Sequence, residues 1–303
     1  MAKRLFVTGL HGFVGRHLAR GIASKPQTME IAHTPEFDLR DRTALERILG
    51  EVQPELVIHL AAQSAVPQSF ADPRTTYDVN FFGTLNLLEA LAATRFRGRL
   101  LYIGSGDAYG RVSDASLPIN ETQPLRPRSP YAVSKAAAEA LCFQWSQTGP
   151  FEIVLARPFN SIGPEQSTRF AIPDFAQRIV EISVGRGTPR LETGDVDVTR
   201  DFTDVRDVVA AYSALLVKGV NGEVYNVCSG RERVLRDLIN QMAAIAGITV
   251  ELVADPARHR HGEQRRMAGN PAKLIDATGW SASIPIDTTL RDIIDDWRGR
   301  LQP

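Results

Sequence analysis

The stretch Thr8-Gly9-Leu10-His11-Gly12-Phe13-Val14-Gly15 constrains this chain more than any other. It follows directly on residues 4–8, a short β-rich run, and opens the helix-like residues 12–24. Glycines at such a junction allow a tight turn, close approach of a pyrophosphate to the backbone, and close packing of helix on strand. The helix N-terminus then presents unpaired N–H groups to phosphate. Glycines also serve ordinary turns; the position of these, straight after the first strand, makes dinucleotide binding the favoured reading. Gly9, Gly12 and Gly15, with Phe13 and Val14 between them and His11 inside the turn, are the first cofactor-binding candidates.

Further along, apolar runs at 56–61, 100–104 and 152–157 alternate with helical patterns at 75–93 and 130–147. Repeated βα units of this kind predict an α/β fold with a parallel, doubly wound (Rossmann) sheet, and ligands then belong at the carboxyl ends of its strands. After Asn160 the regularity weakens, with Gly163-Pro164, Pro173, Gly185, Gly187 and Pro189, before strand character returns at 223–227. The chain of 303 residues is therefore expected to hold a dinucleotide-binding domain at 1–160, with 199–230 and 281–303 returning to it. Residues 161–198 and 231–280 are expected to form a smaller substrate-binding lobe.

Lys plus Arg and Asp plus Glu balance at 35 each, so no general attraction to nucleic acid or anionic lipid is expected. Two cysteines, Cys142 and Cys228, lie far apart without metal-ligand spacing, which predicts buried free thiols and a reducing, cytoplasmic setting. Nothing approaches the roughly 18 to 20 apolar residues of a membrane span. The start, with Lys3-Arg4 and a short apolar run, has some look of a signal peptide, but the glycines that follow at once argue otherwise. The cluster Arg258-His259-Arg260-His261 lacks the carboxylates a zinc site needs and the aromatic residues of a nucleic-acid platform.

Sites that prefer NAD place an Asp or Glu about 20 residues beyond the glycine turn, on the ribose 2′-hydroxyl. Here that stretch reads Ile31-Ala32-His33-Thr34-Pro35, without a carboxylate. His11 can meet a 2′-phosphate or simply be solvated, and the lean is to NADPH, with NADH still possible.

Tyr131-Ala132-Val133-Ser134-Lys135 puts a phenol and an ammonium on one helix face. Bringing a phenol about 3 pH units below its usual 10 takes roughly 4 kcal/mol, and a nearby fixed cation can supply it. Tyr131 could then exchange a proton with a substrate oxygen. Six tyrosines in 303 residues make such a spacing only moderately specific, but context raises it. The run Leu101-Tyr102-Ile103-Gly104-Ser105 should end at the ligand edge and deliver Ser105 as a hydroxyl donor to the same oxygen, unless Ser105 only forms the turn.

Gly9-x-x-Gly12-x-x-Gly15, Asp38-Leu39, His59-Leu60-Ala61-Ala62-Gln63-Ser64, Asn80, Tyr131-x-x-x-Lys135 and Arg157-Pro158-Phe159-Asn160 together resemble the extended short-chain dehydrogenases/reductases, over nearly the whole chain. Within them the chain is similar to the branch acting on GDP-mannose derivatives. The resemblance implies that Asp38 and Leu39 contact the adenine, that Ala61 and Ala62 line the cofactor, and that Asn80 lies beside it. It implies a GDP-linked 4-keto-6-deoxy sugar as substrate, held by Ser64, Asn160 on a phosphate, Arg200 and Arg260 on the GDP moiety, and Glu263 on a ribose hydroxyl. It also implies a homodimer built on the helices near 75–95 and 130–147.

In the dehydratases of that branch a Glu stands two residues after the catalytic Ser or Thr. Here Asp107, one methylene shorter, follows Gly106. Asp107 can hydrogen-bond a sugar hydroxyl while missing the C5 proton, or it can merely cap its loop. The expected reaction is reduction of the 4-keto group of GDP-4-dehydro-6-deoxy-D-mannose to GDP-D-rhamnose, with Tyr131 giving the proton, Lys135 lowering its pKa and Ser105 polarising the carbonyl. A 4,6-dehydratase or 4-epimerase is the alternative.

Overall fold

The computed structural model describes residues 2–24, 27–255 and 264–301. The elements run β1 (Lys3–Thr8), α1 (Phe13–Ala23), β2 (Met29–Ile31), α2 (Arg42–Val52), β3 (Leu56–His59), α3 (Val66–Ala71), α4 (Pro73–Tyr77), α5 (Gly83–Ala93), β4 (Arg99–Ile103), α6 (Pro130–Thr148) and β5 (Glu152–Pro158). Then follow β6 (Asn160–Ile162), α7 (Ala171–Ser183), β7 (Arg190–Thr193), β8 (Thr199–Asp204), α8 (Val205–Lys218), β9 (Val224–Val227), β10 (Glu232–Val234), α9 (Leu235–Ala246), β11 (Glu251–Ala254), α10 (Ala272–Thr278) and α11 (Ile286–Leu301).

A six-stranded sheet of order β2-β1-β3-β4-β5-β9 forms the centre, and its pairings are parallel. Strands covered by helices on both faces read as continuous apolar runs, as β3 (Leu-Val-Ile-His, buried throughout) does. One face holds Leu5, Val7, Ile58, Leu101 and Val154 against α1 and α8; the other holds Phe6, Val57, Leu100 and Ile153 against α2, α5 and α6. Truncating a fully buried Leu87 or Leu101 to Ala should cost about 2–5 kcal/mol.

The register decides where the site lies. Thr8, His59, Tyr102, Leu155 and Val224 stand side by side across β1, β3, β4, β5 and β9. The residues just beyond that row, Gly9, Ala61, Ser105 and Pro158, therefore emerge along one edge. Strand order reverses between β1 and β3, and it is beside such a switch that doubly wound sheets bind ligands.

The helical pattern read at 75–93 is helical but not uniform. Asp78–Phe82 forms a π-helical turn between α4 and α5, a local widening in which Asn80 is buried. A second sheet of order β10-β8-β6 and a two-stranded pair β11-β7 stand apart from the central one. β8, within the stretch 199–230, belongs to this second sheet, and α11, within 281–303, packs on α7 and α9. Both cysteines are buried free thiols. Among the described residues no helix is long and apolar enough to cross a membrane.

Candidate functional site

The glycine turn has the shape its sequence calls for. Gly9 adopts φ +74°, and a Cβ there would stand 2.8 Å from the Ala61 backbone nitrogen, so β1 and β3 meet at this point with no room for a side chain. A Cβ at Gly15 would run into the carbonyl oxygens of Gly9 and Leu10. Gly12 caps α1 without a side-chain hydrogen bond, and the first turn of α1 carries no acidic residue. A helix N-terminus left uncapped and free of carboxylates, over a cradle emptied by glycine, fits a dinucleotide pyrophosphate. Phe13 and Val14 open α1 and are half-buried; His11 is exposed, its carbonyl accepting from Arg16 Nη1 at 2.7 Å.

Asp38 lies on the exposed approach to α2, held by Arg40 through Nε at 3.0 Å and Nη2 at 2.5 Å, and this partner keeps its carboxyl below the usual range. Leu39 is buried against Gly83. Ala61 and Ala62 are half-buried just past β3, and Ser64 is exposed beyond them.

Beneath this strip runs a buried chain of hydrogen bonds. The Ala61 N–H donates to Thr8 Oγ1 at 3.1 Å, and Thr8 Oγ1 lies 2.7 Å from His59 Nδ1. His59 Nε2 lies 3.0 Å from Thr84 Oγ1, whose hydroxyl donates to the Asn80 carbonyl at 2.7 Å. With the Thr84 proton engaged there, His59 must donate from Nε2 and accept from Thr8 at Nδ1, which makes it a neutral imidazole of one tautomer. Burial, with Lys135 nearby, pulls its pKa down to about 3. Asn80 continues the chain: its Oδ1 accepts from the Gln63 N–H at 2.8 Å, and its Nδ2 donates to Gln63 O at 3.0 Å and Ser134 Oγ at 2.9 Å.

Ser134 sits between Tyr131 and Lys135 on α6. Ser129 caps that helix, its hydroxyl accepting from the Ala132 N–H at 3.1 Å, and Pro130 occupies the first turn, where its missing N–H matters least. Ser105 is buried at the end of β4; its Oγ accepts the Asp107 N–H at 3.1 Å and caps the 3-10 turn Gly106–Tyr109. The Ser105 hydroxyl also bonds the Tyr131 phenol. Gly106 leaves room for the Phe159 ring, which a Cβ would approach to 3.2 Å. Asp107 is exposed and close enough to act on the phenol.

The expected net lowering of the Tyr131 phenol is not found, and the Lys135 ammonium donates to the Ile103 carbonyl at 2.6 Å. The phenol is instead pushed up, by burial first and by the Asp107 carboxylate second, with the Ser105 hydrogen bond opposing them. Burial draws Lys135 down to about 8.

On the lobe side, Asn160 opens β6 and donates from Nδ2 to the Asp201 carbonyl at 3.2 Å, with Arg200 next to Asp201 on β8. Arg200 Nη1 donates to Thr199 O at 2.7 Å. The Asp201 carboxylate accepts from Ser229 N and Oγ and from Gly230 N, at 2.6–2.9 Å, and fixes this corner. Arg260 and Glu263, with His259 and His261, lie outside the described residues. Among those described, no group of His, Cys, Asp or Glu could hold a metal ion.

Several residues that build the site were not singled out from sequence for a role: Thr8, His59, Thr84, Ser134 and Glu139. Glu139 was within reach of the spacing argument that found Lys135, since it stands four residues further along the same helix face.

A doubly wound parallel sheet with a glycine cradle at its switch point, and a buried Ser-Tyr-Lys group at the same edge, define an NAD(P)-dependent oxidoreductase of the extended short-chain type. Residues 28–293 match the model of the GDP-mannose 4,6 dehydratase family, and the chain belongs to that family. It is 49% identical to GDP-6-deoxy-D-mannose reductase of Pseudomonas aeruginosa over 100% of this chain and 99% of that one. The structure of RMD from Pseudomonas aeruginosa complexed with NADPH superposes with TM-score 0.95 at 48% identity, covering 99% of this chain and 100% of that one. UDP-glucose 4-epimerase of Thermus thermophilus, solved with NAD, follows at TM-score 0.86 and 31% identity, covering 98% and 100%.

Proposed function

We propose that this chain reduces the 4-keto group of GDP-4-dehydro-6-deoxy-D-mannose to give GDP-D-rhamnose, with NADPH as the reductant. The observation that carries this reading is the end-to-end 49% identity to a GDP-6-deoxy-D-mannose reductase; the GDP-mannose 4,6-dehydratase of Yersinia enterocolitica is 26% identical. The lack of a carboxylate in Ile31-Ala32-His33-Thr34-Pro35, at the end of β2, and the NADPH in the similar solved structure support the choice of cofactor.

When bound, the reduced nicotinamide supplies a hydride to C4. Gly9, Gly12 and Gly15, with the N–H groups of Phe13 and Val14, would hold its pyrophosphate; Asp38, Leu39, Ala61, Ala62 and Asn80 would line the rest, with His11 near the adenosine end. Tyr131 gives the proton. A ketone reduction needs an acid that is protonated at working pH, as a phenol is, and whose anion is stabilised as the proton leaves. The phenolate left behind is stabilised by the Ser105 hydroxyl and by the cation of Lys135. Asp107 and Ser64 would take sugar hydroxyls, and Asn160, Arg200, Arg260 and Glu263 the GDP end, where arginine's planar fork suits a pyrophosphate.

Incubation with NADPH and either GDP-mannose or its 4-keto-6-deoxy derivative tests this. Stoichiometric loss of NADPH absorbance with the keto sugar alone, and D-rhamnose by product NMR, is the expected result; turnover of GDP-mannose itself would make it a dehydratase. A cytoplasmic homodimer completes the reading, supported by the exposed Phe82, Val133 and Phe143 on the turn before α5 and on α6 and by the two buried free thiols.

A further inference from the structure

Tyr131, Lys135 and Glu139 follow one another at four-residue intervals, so one face of α6 carries a phenol, an ammonium and a carboxylate in order. Glu139 is only 7% exposed. Both its oxygens are engaged by one guanidinium: Arg157 Nε donates to Oε2 at 2.9 Å and Nη2 to Oε1 at 2.6 Å. Arg157 is itself fixed, lying 4.8 Å over the Tyr109 ring and donating from Nη1 to Tyr109 Oη at 2.8 Å and to Glu121 O at 3.2 Å. The carboxylate therefore has one orientation. Its Oε2 lies 3.2 Å from where a Cβ on Gly104 would stand, between Ile103, whose carbonyl binds Lys135, and Ser105, which binds the phenol.

A buried ammonium tends to lose its proton unless a negative charge opposes the loss. The ionisable groups facing Lys135 come from several elements. Tyr131 and Cys142 share its helix, Tyr102 lies beneath on β4 with its ring centroid 5.2 Å away, and His59 ends β3. Burial keeps Tyr102 and Cys142 neutral by pushing both far up, and keeps His59 neutral by pulling it down. Asp107 and Tyr109 lie on the turn after β4, where Asp107 is exposed and Tyr109 is pushed up to about 12 by burial. Arg74 and Asp78, on the segment crossing α6, pair with each other at the surface at 3.5 Å, and Glu89 on α5 pairs with Arg42 at 2.6 Å. Tyr77 ends α4. The buried charges left are Glu139 and Arg157.

We propose that Glu139 is a positioning residue for the proton-donating pair: oriented by Arg157, its carboxylate holds Lys135 as an ammonium, so that a cation is in place when Tyr131 becomes a phenolate. This rests on the reading of Tyr131 and Lys135 as that pair.

The test is the pH profile of kcat/KM for NADPH-dependent reduction of the 4-keto sugar. Glu139→Gln should move the alkaline limb down by about one pH unit, read as an apparent value of the coupled pair. Arg157→Gln, which leaves the carboxylate unopposed, should move it up, and Glu139→Asp, which keeps the charge, should return it close to wild type. Opposite shifts are something a purely structural ion pair would not give. A limb that stays in place in Glu139→Gln, or that moves the same way in both Gln variants, overturns the proposal. If one Gln variant does not fold by circular dichroism, the sign of the other decides. Lys135→Met separates the two readings: wild-type turnover there would remove the pair itself, whereas loss of turnover beside an unmoved limb in Glu139→Gln would remove only the role of Glu139.

Discussion

Replacing His59 by Gln should change how stability depends on pH, and by an amount the structure allows to be worked out. His59 is 2% exposed, bonded through both ring nitrogens, and held neutral with a pKa pulled down to about 3. In the unfolded chain the imidazole returns to about 6.5. A group depressed on folding stabilises the fold fully above its unfolded value and loses that contribution as pH falls toward the folded one. Between pH 7 and pH 5 the loss approaches one and a half times 1.36 kcal/mol, or about 2 kcal/mol. Glutamine can restore one of the two hydrogen bonds and does not titrate, so at pH 7 the variant should be less stable by about 1–3 kcal/mol. At pH 5 most of that gap should close. Urea unfolding followed by tryptophan fluorescence at the two pH values measures it, and the remaining histidines cancel because both proteins carry them. A gap that is the same at pH 7 and pH 5 would refute the neutral, single-tautomer assignment.

Tyr131→Phe should lower kcat by about 10²–10⁴-fold with little change in KM, since the phenol gives its proton only in the transition state; retained turnover would place the proton donor elsewhere. Gly9→Ala forces a β-carbon into a left-handed backbone against Ala61 and should abolish saturable NADPH binding in a fluorescence titration, whereas a wild-type Kd would show that the cradle is not the cofactor site. Asp107→Asn should slow sugar turnover while NADPH binding is kept, and unchanged kinetics would remove Asp107 from the site. Arg200→Ala should act mainly through a higher KM for the GDP-sugar; a wild-type KM would argue against a phosphate contact.

The parts of this molecule that follow from local rules could be read from the sequence. The glycine turn, the apolar runs of β1, β3, β4 and β5, and the Tyr131/Lys135 spacing each depend on residues near one another in the chain, and each appears where expected. Ser105 was found because a parallel strand must end at the ligand edge. What escaped depends on partners brought in from afar. Lys135 was expected to act on Tyr131, but the carbonyl it meets belongs to Ile103, 32 positions away. The single tautomer of His59 is settled by Thr8 and Thr84, 51 and 25 positions distant, and no pattern in the segment 56–63 discloses it. The π-helical turn at Asp78–Phe82 leaves no composition signal either, since it differs from the expected helix by one residue in its hydrogen bonding.

The place of β9 at the edge of the central sheet has a consequence for how the chain is made. By Pro158 the ribosome has supplied five of the six central strands, yet β5 waits for its outer neighbour while some 65 further residues build much of the lobe. At roughly 5–20 residues per second, that leaves an apolar edge strand unpaired for about 3–13 s of synthesis. Residues 152–158 thus present an apolar edge to neighbouring nascent chains until β9 arrives to cover it.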